Sequence, residues 1–135
     1  MTTTNDSSDY PPKKIRSHRD LIVWQKGVSL AVEIYHLTRK LPKEERFVLR
    51  DQMKRAAVSI PSNVAEGHGQ VSKGAFVRHL GIARGSLHEV DTLLEITKEL
   101  DYLDDAAQEK ARLLLDEEGR MLWVLMQRLG TRHWK

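Results

Sequence analysis

The chain has no cysteine, so neither a disulfide framework nor a thiolate metal site is open to it, which suits a reducing, cytoplasmic setting. No apolar run approaches the roughly 18 residues of a membrane span. Residues 1–14 are polar and lack the apolar stretch of a signal peptide. Period-two alternation of useful length is missing, which argues against a sheet. What remains is one all-α domain, large enough at 135 residues to bury a real core. We assign residues 1–16 to a disordered N-terminal tail, 17–130 to the helical domain and 131–135 to a short C-terminal tail.

Apolar residues recurring at intervals of three and four mark four helices. The first is expected from about Asp20 to Lys40, capped by Ser17 or Asp20. It carries two adjacent seams: Leu21, Trp24, Val28, Ala31 and Tyr35, beside Val23, Gly27, Leu30, Ile34, Leu37 and Leu41. Pro42 ends it and opens the second helix near Lys43, at a position where a missing N–H is harmless. The second helix holds Leu49, Met53, Ala56, Ile60 and Val64 on one face, in phase across Pro61. A kinked helix is therefore expected rather than a broken one, with Ser59, Ser62 and Asn63 available to the freed backbone. Gly67 and Gly69 mark its end.

The third helix runs from a Ser72 cap to about Leu100. One seam is Phe76, Leu80, Ala83, Leu87, Val90, Leu94 and Thr97, with Ala75, Ile82, Ser86, Leu93, Ile96 and Leu100 next to it. Gly74, Gly81 and Gly85 read as sites of tight packing within the bundle. The fourth helix follows Asp104 and Asp105, with Glu118 at the centre of a leucine-rich face. A buried carboxylate needs partners, and Ser59, Asn63 and Ser86 are the candidates. Four helices of this length with short connections make an up-down-up-down bundle. The double seams of the first and third helices, with outward-facing Trp123 and Val124, point to a homo-oligomer.

Chemistry is sparse. Glu-x-x-His pairs of the kind that build di-iron bundles do not occur. His79 and His88, nine residues apart, face nearly opposite sides of one helix. No Gly-x-Ser-x-Gly elbow or phosphate-binding glycine loop is found. We expect no metal, no cofactor and no enzymatic activity. Charge is segregated instead. Lys and Arg outnumber Asp and Glu by twelve to five between Lys13 and Arg55. Acids lead by eleven to three from Ser86 to Glu118, and the C-terminal stretch is basic again. Arg46, Arg50 and Lys54 form a ladder at four-residue spacing, with Arg55 beside it. Lys73, Arg78 and Arg84 lie in a segment from Gly67 to His88 that has no acid. Together these seven are the expected nucleic-acid-binding surface. The alternative is that they pair internally with acids of the later helices, as Asp51 would with Arg55.

Several separated motifs carry a resemblance. They are Asp20-Leu-Ile-Val-Trp-Gln-Lys26, then Gln52-Met-Lys-Arg-Ala-Ala-Val-Ser-Ile-Pro-Ser-Asn-Val-Ala-Glu-Gly67, then Ile82-Ala-Arg-Gly-Ser86 with Glu89. In this order they resemble the four helix bundle protein family, also called 23S rRNA-intervening sequence proteins, over about residues 17 to 130. The resemblance implies an antiparallel four-helix bundle assembling as a ring-like homopentamer. It also implies similarity in fold to the accessory variability protein of diversity-generating retroelements, a basic pentamer that binds nucleic acid and associates with a reverse transcriptase. On the matching positions, Asn63, Glu66, Ser86 and Glu89 are expected to form a polar cluster linking the second and third helices, with Glu118 nearby. The functional expectation is a non-enzymatic, oligomeric accessory protein that binds RNA or DNA. A protein-interaction scaffold without nucleic-acid binding is the alternative.

Overall fold

The computed structural model describes residues 14–130. The N-terminal tail expectation falls largely, and the C-terminal one wholly, outside them. Four helices follow in order: α1 (Ile22–Thr38), α2 (Leu49–His68), α3 (Lys73–Glu99) and α4 (Asp105–Gly130). Short 3-10 turns at His18–Asp20 and Lys43–Glu45 precede α1 and α2. No strand occurs among the described residues, and none of the helices is long and apolar enough to cross a membrane.

The helices pack as a four-helix bundle, each against two neighbours: α1 on α2 and α4, and α3 on α2 and α4. Residue numbers climb on one helix while they fall on the next. Lys26 meets Glu117 and Lys110 meets Glu33 across α1 and α4. Ser86 meets Ser59 and His79 meets Asn63 across α2 and α3. Leu30, Ile34, Met53, Ile60, Leu80, Leu94 and Leu122 are fully buried and form the centre of the core. Burying a side chain of this size contributes roughly 1.5 to 3 kcal/mol, and every helix supplies at least one.

The second seam of α1, from Val23 through Leu41, is the buried one. Of its first seam Ala31 is also buried, while Tyr35, together with Ile22 and Val32, remains exposed on the flank. On α3 the seam from Leu80 to Thr97 enters the core, whereas Ile82, Ile96 and Leu100 stay exposed. The α4 core face also includes Gln108 and Met126, which the leucine pattern did not show. Gln108 donates to the carbonyls of Leu94 and Leu103 at 2.8 and 3.0 Å, tying the α3–α4 turn to the bundle. That turn is a Schellman closure in which Asp101 takes the left-handed conformation (φ 62°) usually given to glycine. The N–H of Tyr102 reaches the carbonyl of Thr97 at 2.9 Å, and that of Asp101 reaches Lys98.

Several boundaries differ from those expected. Ser17 caps the 3-10 turn by accepting from the N–H of Arg19, and α1 begins after it. Pro42 precedes another 3-10 turn, not α2, which starts at Leu49. Local capping competes with helix extension here, because Pro42 is extended (ψ 154°) and restarts the chain as a separate turn. Downstream, α2 passes through Pro61 and continues to His68. Asn63 donates to the carbonyl of Ser59 at 2.9 Å, while Ser62 is exposed. Ser72 caps α3 as expected, accepting from Ala75 at 3.1 Å, and Asp104 caps α4 by accepting from Ala107 at 2.8 Å.

The glycines also sort differently. Gly67 is inside α2, and a Cβ there would stand 2.6 Å from Cβ of His79 and 3.0 Å from the Phe76 ring. It is the point where α2 and α3 come closest to the limit of contact. Gly74 and Gly85 have nothing within 4 Å, so the tight packing expected of them is absent, and Gly81 meets only the tip of Met126 at 4.0 Å. Gly67→Ala should therefore lower stability by about 1 to 3 kcal/mol through overpacking. Gly85→Ala, by helix propensity, should raise it by up to about 1 kcal/mol. Urea midpoints of the two variants check this ordering. Equal midpoints would mean that α2 and α3 are not in close contact at Gly67.

Candidate nucleic-acid interface

The cross-helix contacts gather segments that are far apart in sequence. Residues 14–26, 59–88 and 119–130 meet in one half of the bundle. Leu21 and Ile22 share a groove with Val124 and Arg128, Gly67 touches Phe76 and His79, and Arg84 stacks on Trp123. These segments hold nine Lys and Arg (14, 16, 19, 26, 73, 78, 84, 120, 128) and only two acids, Asp20 and Glu66. The other half, residues 27–58 and 89–118, holds ten bases and fifteen acids. At the border of the cationic half, Lys26 pairs with Glu117 at 3.3 Å. The other ion pairs between described residues, including Arg112 with Asp91 and Glu95 and Lys98 with Asp105, lie in the acidic half.

The seven expected binding residues are consequently divided. Lys73, Arg78 and Arg84 stand in the cationic half. Arg46, Arg50, Lys54 and Arg55 stand in the acidic half, Arg55 next to its border. Arg46 precedes α2, against Phe47 with 5.7 Å to the ring centre, so the ladder reduces to Arg50 and Lys54. Arg50 is partly buried and reaches the carbonyl of Leu41 at 3.4 Å, bracing the α1–α2 connection. The ammonium of Lys54 lies 4.9 Å over the ring of Tyr35. Among the described residues none of the seven forms a salt bridge, so internal pairing of Arg46 and Arg50 with acids is not seen either, nor is Asp51 with Arg55. Arg120 and Arg128 join the cationic half. They lay in the basic C-terminal stretch, and only the contact of α4 with α1 and α3 brings them into it.

The expected polar cluster is also rearranged. Ser86 donates to Oγ of Ser59 at 2.8 Å, and Asn63 donates to the same oxygen at 3.0 Å. The Asn63 amide is oriented by its donation to the Ser59 carbonyl. Its Oδ1 therefore faces Nδ1 of His79 at 3.1 Å, and that ring nitrogen must carry the proton. Ser59 and His79 are thus members, whereas Glu66 and Glu89 are exposed. Glu89 meets only Gln52, at 3.5 Å. The spacing of four between Ser59 and Asn63, and of seven between His79 and Ser86, is the signal that places each pair on a common helix face.

Glu118 does not join that cluster. It is fully buried on α4, and neither carboxylate oxygen has a hydrogen-bond partner. The absence of a side chain at Gly27 makes room for it: a Cβ there would be 2.9 Å from Oε2 and 3.4 Å from Cβ of Pro61. Burial pushes its pKa up from 4.5 to about 8, so the group is held neutral at pH 7. Among the described residues, no group of three or more His, Asp or Glu is placed to hold a metal ion.

A family model described as 23S rRNA-intervening sequence protein matches residues 19–124. The chain belongs to that family. A similar fold occurs in a solved structure. That structure is of a protein of unknown function from the S23 ribosomal protein family of Bacteroides thetaiotaomicron VPI-5482. It is 26% identical, with a TM-score of 0.73, and the similarity covers 78% of this chain and 99% of the other. No curated protein matches the chain.

The linkage sign for Glu118 is set by its raised pKa. Below pH 4.5 the carboxyl is protonated in both folded and unfolded chains. From there to about pH 8 the unfolded chain releases the proton and the folded one keeps it, so stability falls as pH rises. The loss is of order 1 kcal/mol per pH unit within that window. Glu118→Gln should remove this slope and leave the variant the more stable form at pH 8. Urea unfolding at pH 5 and pH 8 measures it, and a slope that survives in the variant would place its origin elsewhere.

Proposed function

We propose that this member of the family is a non-enzymatic, oligomeric accessory protein that binds RNA or DNA through the cationic half of its bundle. The observation that carries this reading is the charge imbalance itself. Nine bases face two acids there, and among the described residues Arg78, Arg84, Arg120 and Arg128 have no carboxylate partner. Unpaired guanidinium groups on rigid helices release counterions from a phosphate backbone without rearranging first. The ribosomal-protein family name of the Bacteroides neighbour accords with an RNA partner.

In this reading the bundle is antiparallel and up-down-up-down, in keeping with the opposed numbering of its cross-helix contacts. Copies close into a ring-like homopentamer in the cytoplasm, with a reverse transcriptase or another protein as a further partner. Support for self-association comes from the flank of α1. Exposed Ile22, Val32 and Tyr35 border two apolar grooves, one floored by Met121, Val124 and Leu125 and the other by Val28, Val58 and Pro61. The same grooves are what favours the second reading, a protein-interaction scaffold that binds no nucleic acid.

Binding of labelled RNA and duplex DNA across a salt series separates the two. Replacing Arg78, Arg84 and Arg120 together by Ala should reduce the slope of log affinity against log salt by about 2 to 3. Replacing Arg50, Lys54 and Arg55 together should change it far less. An absence of binding at low salt would leave the scaffold reading standing alone.

A further inference from the structure

Where the cationic half borders the acidic one, α3 and α4 line a groove of about 400 Å³ whose chemistry is more specific than charge. Trp123 is 43% exposed although it lies well inside α4, two turns from its end. The guanidinium of Arg84 lies 5.0 Å from the centre of its indole. Arg120, three residues before Trp123, lines the same groove, as does His88, one turn after Arg84. Gly119 keeps the floor low, since a Cβ there would already touch Leu87 at 3.4 Å, and Gly85 beside Arg84 is open to solvent. The far end of the groove is closed by Asp91 and Asp116. Arg112 holds Asp91 at 3.1 Å.

From this arrangement we infer that the α3–α4 groove receives an unpaired nucleotide of single-stranded nucleic acid. This rests on the cationic-half reading above and narrows it. An aromatic face backed by a guanidinium offers a stacking platform to any base, because every base has a π-face. A base within a duplex has both faces covered by its neighbours, so only an unpaired one can use the platform. Arg84 and Arg120 meet the phosphate at one end. At the other end, Asp91 and Asp116 accept hydrogen bonds from exocyclic amines or sugar hydroxyls and repel a second phosphate. The groove therefore has a direction as well as an affinity.

The test uses the full chain with a labelled twelve-nucleotide oligo-U, an oligo-dT of the same length and a twelve-base-pair duplex, all at one low salt concentration. Trp123→Ala should weaken single-strand binding about tenfold, within the range expected for one stacked base, and leave duplex binding unchanged. Trp123→Phe should retain most of it. Trp123→Leu keeps apolar bulk without the π-face and should lose as much as Ala, which separates stacking from any loss of packing. Helix content by circular dichroism confirms that each variant is folded. Equal effects of Trp123→Ala on single strands and duplex, or no effect on either, overturn the groove while leaving the electrostatic reading intact. Failure of the unaltered protein to bind any of the three polymers overturns both. The uridine and thymidine arms report whether RNA or DNA is the preferred source.

Discussion

The contact of α2 with α3 at Gly67 is the constraint on which the rest of the bundle is built. A side chain at that position would collide with His79, so the glycine sets how near the two helices come. The hydrogen-bonded chain from His79 through Asn63 and Ser59 to Ser86 then fixes their axial register. A slip of one turn along this seam would leave four polar groups without partners in a part-buried environment, at a cost of about 1 to 3 kcal/mol each. With α2 and α3 locked, α1 and α4 can cover them only by laying their own apolar faces into the same core.

Much of this was legible in the sequence because helical periodicity depends only on spacing. The four helices, the Ser72 cap, the passage of α2 through Pro61 and the division of apolar residues into two seams all follow from residues three and four apart. Which seam of α1 enters the core did not follow, since both are apolar and the choice is made by the facing helices. The early start assigned to α2 failed for a local reason. The carbonyl of Pro42 accepts from the N–H of Glu45 and closes a short 3-10 turn, and Phe47 and Val48 remain exposed instead of joining an apolar face. Asp101 in a left-handed position is invisible to any pattern that looks for glycine at helix ends.

The site was read less well, and the reason is topological. The basic entry to α1, the acid-free segment before His88 and the basic C-terminal part of α4 were each visible as separate stretches. Their union requires knowing which ends of the helices meet. Arg50 and Lys54, grouped with them on helical spacing alone, belong to the other half and are engaged by Leu41 and Tyr35. For Glu118 the sequence supplied burial correctly and partners wrongly. The hydroxyls and amide near it satisfy one another, so the carboxyl is accommodated by protonation and by the space at Gly27.

The uneven distribution of charge between the two halves makes the bundle a large permanent electric dipole along its axis. In an assembly with rotational symmetry, the components of such dipoles parallel to the symmetry axis point the same way and add. A ring with tilted or upright bundles would thus have one polycationic rim and one polyanionic rim. Two rings would attract rim to opposite rim, and a single ring would settle on a polyanionic surface with one face only.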